Sequence, residues 1–270
     1  MTLPTSWSEI TAQKAVILGL KRYTFRREYS AERLKAAGFS NIECVDSFDG
    51  FQADVDEALR ELGVTFHPEL RPGHKGCSYS HMKAWKDMID EGVPYRIFFE
   101  DDALGHLNLP KGLGQEFWDA TRIRMSGLPS KSFDILYLGN MMNPGDPTLM
   151  DPAVKVVQLP TYCLHAYMVT LEGAKTMWKL AQAMNAAGQP LQMLDIQLVQ
   201  WQLDKKIQWL CWNGTSTQKS FPTFDEGLPW QAFPDVITPQ KDTGLFWQNM
   251  RVGTTLEHPT LQLTIPQYSR

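Results

Sequence analysis

No run of this sequence approaches the roughly 20 consecutive apolar residues that a membrane-crossing helix needs. Residues 1–14 also lack the apolar core of a secretory leader, because Trp7 and Ile10 stand among Ser, Thr, Glu and Gln. The expectation is a cytoplasmic protein, or one of the secretory-pathway lumen if a leader has been removed. Basic charge is short as well. The net charge is −4 and no stripe of Lys and Arg is present, which excludes nucleic acid as the main partner. Cys44, Cys77, Cys163 and Cys211 lie far apart with no CxxC pair. They read as free, mostly buried thiols of a reducing compartment, not as a zinc site. The 6 histidines are widely separated, which places a metal-dependent phosphoesterase, a class that usually draws several His and Asp ligands from several loops, third among the readings. There is no internal repeat and no low-complexity segment.

What is present is a chain of 270 residues, 43% of them apolar, enough for one large α/β domain or two small ones. Lys14 to Leu20 (KAVILGL) reads as a buried strand, followed at once by Arg22, Arg26 and Arg27. Glu28 to Ala37 is helical in composition and stops at Gly38, and Ile42 to Val45 is a second strand. A strand–helix–strand unit implies parallel pairing with a right-handed crossover. The three arginines either contact phosphate or lie on the exposed face of the helix. Val55, Leu59 and Leu62 mark a short helix ending at Gly63.

Arg71 to Cys77 reads as a glycine-rich loop, and Ser78 to Glu91 as a helix with Met82, Trp85, Met88 and Ile89 on one face. The small residues Gly76, Cys77, Ser78 and Ser80 let backbone pack closely or let a ligand approach the helix start. His81, one turn in, is expected to brace the loop at Gly76. Further helices are predicted over Gln115–Met125, Glu172–Ala187 and Asp195–Asp204, and strands over Phe133–Leu138, Val154–Leu159, Leu164–Thr170 and Ile207–Trp212. Residues 143–152 read as a loop near the cleft. Beyond Gly214 the chain is irregular and holds 6 of the 17 prolines. That tail is expected to be ordered but loop-rich, wrapping the core or covering the site.

The stretch that organises the rest is Ile97 to Leu104 (IFFEDDAL). An apolar strand ends abruptly in Glu100, Asp101 and Asp102. A strand interior cannot hold three adjacent acids, since an unpaired buried charge is expensive. The acids therefore belong where the strand leaves the sheet, which in open α/β sheets is the ligand end. Adjacent carboxylates repel, and an oxygen-only donor set suits Mg²⁺ or Mn²⁺, ions that commonly accompany phosphates. The sharp reading is a metal-assisted site for a phosphorylated or nucleotide substrate. The plain alternative is a solvated acidic turn.

Five blocks resemble glycosyltransferase family 25, which includes lipopolysaccharide-type and procollagen-galactosyltransferase-like enzymes. They are VILGLKRYTFRR from Val16 to Arg27, Phe48–Asp49–Gly50, GHKGCSYSHMKAW from Gly73 to Trp85, FFEDD from Phe98 to Asp102, and TYCLHAYMVTLEGAK from Thr161 to Lys175. The spacing of G-C-x-x-S-H-x-x-x-W to E-D-D is the specific part. The family's strand Asn falls on Gly19 and its Glu before Gly-Cys falls on His74. The resemblance implies a GT-A fold: a single-domain α/β/α sandwich with a mostly parallel central sheet over residues 15–213. A nucleotide-binding half would span about 15–105 and an acceptor half about 106–213, flanked by an extension at 1–14 and the loop-rich tail at 214–270. It implies an inverting transfer of a hexose or pentose (galactose, glucose or xylose) from a UDP-sugar to a glycan or glycoprotein hydroxyl, with Mn²⁺ or Mg²⁺. By the resemblance Asp102 is the metal ligand, and Gly19, Leu20, Arg26, Asp49, Gly76, Glu100 and Asp101 are donor-site residues. Asp195 is the expected base, with the alternative that it merely caps its helix. His165 is the second choice for base. A non-catalytic nucleotide-sugar or glycan-binding module of the same fold is the other reading.

Overall fold

A computed structural model of the chain describes residues 3–105, 112–142, 156–158, 160–212, 242–244 and 246–248. In chain order the first elements are α1 (Trp7–Ala12), β1 (Lys14–Gly19), α2 (Thr24–Ala36), β2 (Asn41–Asp46), α3 (Val55–Glu61), α4 (Pro72–Glu91), β3 (Tyr95–Glu100) and β4 (Ala103–Gly105). After them come α5 (Leu113–Ser126), β5 (Ile135–Met142), β6 (Val156–Val157), β7 (Thr161–Thr170), α6 (Leu171–Ala186), α7 (Leu194–Leu203), β8 (Trp209–Trp212), β9 (Asp242–Gly244) and β10 (Phe246–Gln248).

The main sheet has 8 strands in the order β2-β1-β3-β7-β5-β8-β6, with β9 added beside β5. Strands β2, β1 and β3 pair in parallel, and β5 pairs in parallel with β8. Strand β7 runs antiparallel to both β3 and β5, so β1, β2, β3, β5 and β8 all point one way. Alternation along the strands feeds two cores. Val16, Leu18, Phe98 and Tyr137 face α3, α4, α6 and α7. Ala15, Ile17, Ile97, Phe99, Leu136 and Leu138 face α1, α2 and α5. The result is the expected α/β/α sandwich.

Several boundaries move, each for a physical reason. Helix α2 begins at Thr24 instead of Glu28, which brings Arg26 and Arg27 into its first turn. The predicted glycine-rich loop at 71–77 is instead the start of helix α4, with Pro72 at its first position. Glycine there serves close packing: a Cβ on Gly76 would lie 2.7 Å from the Phe48 carbonyl oxygen. Strand β5 runs through Gly139 and Asn140, where the sequence suggested a stop, because β7 and β9 continue the ladder on either side. Of the four cysteines all are free, but Cys211 alone is buried, Cys77 and Cys163 are half-buried and Cys44 is exposed. The expected loop at 143–152 and most of the tail lie outside the described residues. The described tail strands β9 and β10 pair with β5 and β4 respectively.

Candidate active site

Strands β1 and β3 end together, with Leu18 opposite Glu100, and the Asp101 N–H still donates to the Leu18 carbonyl at 3.1 Å. The chain then leaves the sheet, so the acids fall at the strand end. They are not a solvated turn: Asp101 is 7% exposed and Asp102 6%. Their neutralising partner is Arg26, itself 6% exposed. Its Nη2 donates to Asp101 Oδ1 at 2.5 Å and lies 3.3 Å from Asp102 Oδ2. A cation in the first turn of a helix faces the positive end of the macrodipole, and the carboxylates offset that cost. Burial pushes Asp101 above the ordinary carboxylate range even though Arg26 pulls it down. Burial also opposes the charge on Arg26, but Asp101, Asp102 and Glu100 outweigh it and hold the guanidinium ionised. The other two arginines are paired as well, Arg22 with Asp49 and Arg27 with Asp46 at 2.6 Å. Gly19 has no side chain to spare, because a Cβ there would lie 2.7 Å from Asp101 Oδ2.

Helix α4 forms the opposite wall. Ser80 Oγ accepts from the Phe48 N–H at 2.9 Å and donates to the Gly76 carbonyl at 2.7 Å. Ser78 Oγ accepts from the Leu194 N–H at 3.2 Å, which ties the start of α7 to α4. Cys77 and His81, four residues apart, share one face of the helix. His81 does not brace Gly76, which was expected; it stands between two other groups. Its Nδ1 is 2.7 Å from Tyr167 Oη and its Nε2 is 3.1 Å from Glu100 Oε1. Trp85 Nε1–H, a donor only, reaches the same Tyr167 Oη at 3.0 Å. One proton arrangement satisfies every member: Trp85 donates to Tyr167, Tyr167 to His81 Nδ1, and His81 Nε2–H to Glu100. Cys77 Sγ is 3.7 Å from the same Glu100 oxygen. Burial raises Glu100, but the His81 hydrogen bond and the neighbouring positive charges hold it below the ordinary range.

Gly19, Leu20, Arg26, Asp49, Glu100, Asp101 and Asp102 line one cleft, together with Cys77 and His81. Gly76 is not in its lining; it packs α4 against the loop at Phe48–Gly50. Asp195 sits in the first turn of α7, half-buried, and is not the N-cap, which is Met193. Its Oδ1 accepts from the Ile196 N–H at 2.7 Å. Burial raises its carboxyl above the ordinary range, the Ile196 N–H lowers it, and the nearby Glu100 charge raises it further. His165 is 0% exposed in strand β7 and does not line the cleft. What the residue-by-residue reading missed is the meeting of Cys77 with His81 and Glu100. The available signal was the four-residue spacing on a helix that leads straight into the acidic strand.

An acidic, arginine-filled cleft at the strand ends of an α/β/α sandwich is the setting in which the comparisons with known proteins fall. The model of Glycosyltransferase family 25 (LPS biosynthesis protein) matches residues 12–193, and the chain belongs to that family. The lacto-N-neotetraose biosynthesis glycosyltransferase LgtB of Neisseria meningitidis serogroup B is 39% identical over 66 residues, 24% of each chain. The human protein named inactive glycosyltransferase 25 family member 3 is 28% identical over 180 residues, 62% of this chain and 29% of that one. The chain thus spans less than a third of the length of these curated relatives. A glycosyltransferase involved in the glycosylation of the major capsid of PBCV-1 superposes with a TM-score of 0.31 and 10% identity, over 64% of this chain and 66% of its own.

Proposed function

We propose that the protein is an inverting glycosyltransferase that moves a hexose or pentose from a UDP-sugar to a hydroxyl of a glycan or glycoprotein. The observation that carries this reading is the burial of Asp101 and Asp102 around Arg26 at the end of β3, inside a cleft. Two acids held out of water around an arginine at a strand end form a charged site that a mere surface turn has no reason to build. Kinship with LgtB, whose name ties it to lacto-N-neotetraose biosynthesis, favours a glycan acceptor.

The donor sets fit a hard divalent ion. Asp101 and Asp102 offer oxygen only, and the buried Asp101 Oδ2 has no hydrogen-bond partner among the described residues. Asp102, with Asp101 beside it, would hold Mn²⁺ or Mg²⁺, which supplies charge neutralisation of the departing diphosphate. Glu100, fixed by His81, faces the donor from the same strand end. Arg26 keeps the cluster compact and contributes a permanent positive charge beside the phosphates. Asp195 takes the proton of the acceptor hydroxyl. Its raised proton affinity suits a base that must hold that proton, and the Ser78 contact sets its helix against the cleft wall.

A thermal-shift screen of UDP-, GDP- and dTDP-sugars, with and without Mn²⁺, tests the donor. A UDP-sugar with Mn²⁺ should raise the melting temperature most, and Asp102→Ala should remove the metal-dependent part. Failure of every nucleotide to stabilise the protein defeats the reading, and so does equal binding to Asp102→Ala with and without metal.

A further inference from the structure

We propose that Cys77, His81 and Glu100 form a second cation site, for a borderline-soft divalent ion such as Zn²⁺, on the α4 wall of the cleft. It stands on geometry alone and does not depend on the transferase reading.

Cys77 Sγ, His81 Nε2 and Glu100 Oε1 all lie within 4.8 Å of one another. The sulfur–oxygen separation is 3.7 Å and the nitrogen–oxygen separation 3.1 Å. A tetrahedral ion with bonds of about 2.0–2.3 Å sets its ligand atoms about 3.3–3.7 Å apart. Two of the three separations already stand near those values and the third is no more than 4.8 Å, so side-chain adjustments of about an ångström let an ion enter. Their supports are rigid: two ligands come from one face of α4 and the third from the end of β3. His81 also has the outer partner that metal-bound imidazoles use. With its proton on Nδ1 it donates to Tyr167 Oη, 2.7 Å away, and frees Nε2 for the ion.

The chemistry of the donors separates this site from the carboxylate pair. Sulfur, nitrogen and oxygen together favour Zn²⁺ or Co²⁺ over Mg²⁺, whereas Asp101 and Asp102 offer oxygen alone. The surrounding field favours a cation. Burial first, then the charges of Glu100, Asp195 and Asp102, push the Cys77 thiol well above its ordinary range. Those same charges attract a divalent ion. On binding, a metal–sulfur bond forms as the thiol S–H breaks, one proton passes to solvent, and the ion stays divalent. Three protein ligands leave a fourth position toward the cleft. Because Glu100 also lines the cleft beside Asp101 and Asp102, Zn²⁺ held here should compete with a cleft ligand that uses Glu100.

Titration of the metal-free full chain with Co²⁺ tests the site. The expected result is one equivalent bound with a thiolate-to-cobalt absorption band, discharged by Zn²⁺. Cys77→Ser should abolish the band. Tyr167→Phe should weaken binding by about 10-fold, the scale of a contact that supports a ligand, and His81→Gln, which removes a ligand, by more than that. Cys44→Ser and Asp102→Ala should leave the band in place. No band, or a band that survives Cys77→Ser, overturns the proposal. Should Cys77→Ser fail to fold, alkylation of the unmodified protein decides: Zn²⁺ must protect Cys77 from iodoacetamide, and an unprotected Cys77 also overturns it. The donor screen and the cobalt titration fail separately, since the first reads nucleotide stabilisation and the second a sulfur–metal band.

Discussion

Arg26→Ala is the substitution whose consequence the structure specifies most closely. Arg26, Asp101 and Asp102 are all under a tenth exposed, and the guanidinium contacts both acids. Removing the cation takes from two buried carboxylates the ion pair that each makes with it. Breaking a buried pair from one side costs about 3–5 kcal/mol. At about 2–4 °C per kcal/mol for a domain of this size, the melting temperature should fall by about 6–20 °C. Differential scanning calorimetry at neutral pH measures it. The pH dependence has a definite sign. Asp101 has a folded-state pKa raised above its unfolded value. Its cost is therefore present above the folded pKa and vanishes as pH falls below the unfolded one. The variant, which lacks the compensating guanidinium, should recover part of its deficit on acidification. Mn²⁺ should also stabilise the variant more than the unsubstituted protein, by replacing the missing charge. Replacing the whole group, as Arg26→Met with Asp101→Asn and Asp102→Asn, should cost much less than Arg26→Ala alone. A melting temperature in Arg26→Ala within about 2 °C of the original, a shift worth no more than about 1 kcal/mol, would refute the argument.

Asp195→Asn should reduce sugar transfer by about 10²–10⁴-fold, the range of a positioned base, while leaving UDP affinity unchanged. It should not destabilise the fold, because Asn can still accept from the Ile196 N–H and a half-buried charge near Glu100 is removed; full transfer activity would return Asp195 to a structural role. The acid limb of the activity profile should lie above the ordinary aspartate value of about 3.9, following the upward shift of this carboxyl. Gly76→Ala should cost about 1–3 kcal/mol by overpacking, since the new methyl meets backbone at Phe48 and Gly50, and urea unfolding reads it directly. Ser78→Ala should cost about 1 kcal/mol and lower transfer with little effect on UDP binding, because it loosens the helix that carries Asp195.

Much of the fold follows from local pattern. The apolar runs at Ala15–Leu18 and Ile97–Phe99 specify buried strands because alternate residues serve two cores, and Gly92 specifies the end of α4 because it adopts φ 65°. The acidic triplet was legible as a strand-end site for a reason independent of partners: three adjacent acids cannot stay inside a sheet. What local pattern could not decide was which long-range contact each residue makes. Gly76 read as part of a loop and Ser78 as the helix start, whereas the helix already runs from Pro72; the contacts these residues make, with the backbone at Phe48 and the N–H of Leu194, are not near in sequence. Arg26 read either as a phosphate contact or as a surface cation; α2, starting one turn early, placed it on Asp101 and Asp102, more than seventy residues on. The order β3-β7-β5, with β7 reversed between its neighbours, is likewise invisible to periodicity. Sequence determined where charge had to leave the sheet; tertiary structure determined what meets it there, because burial and pairing are properties of neighbours in space.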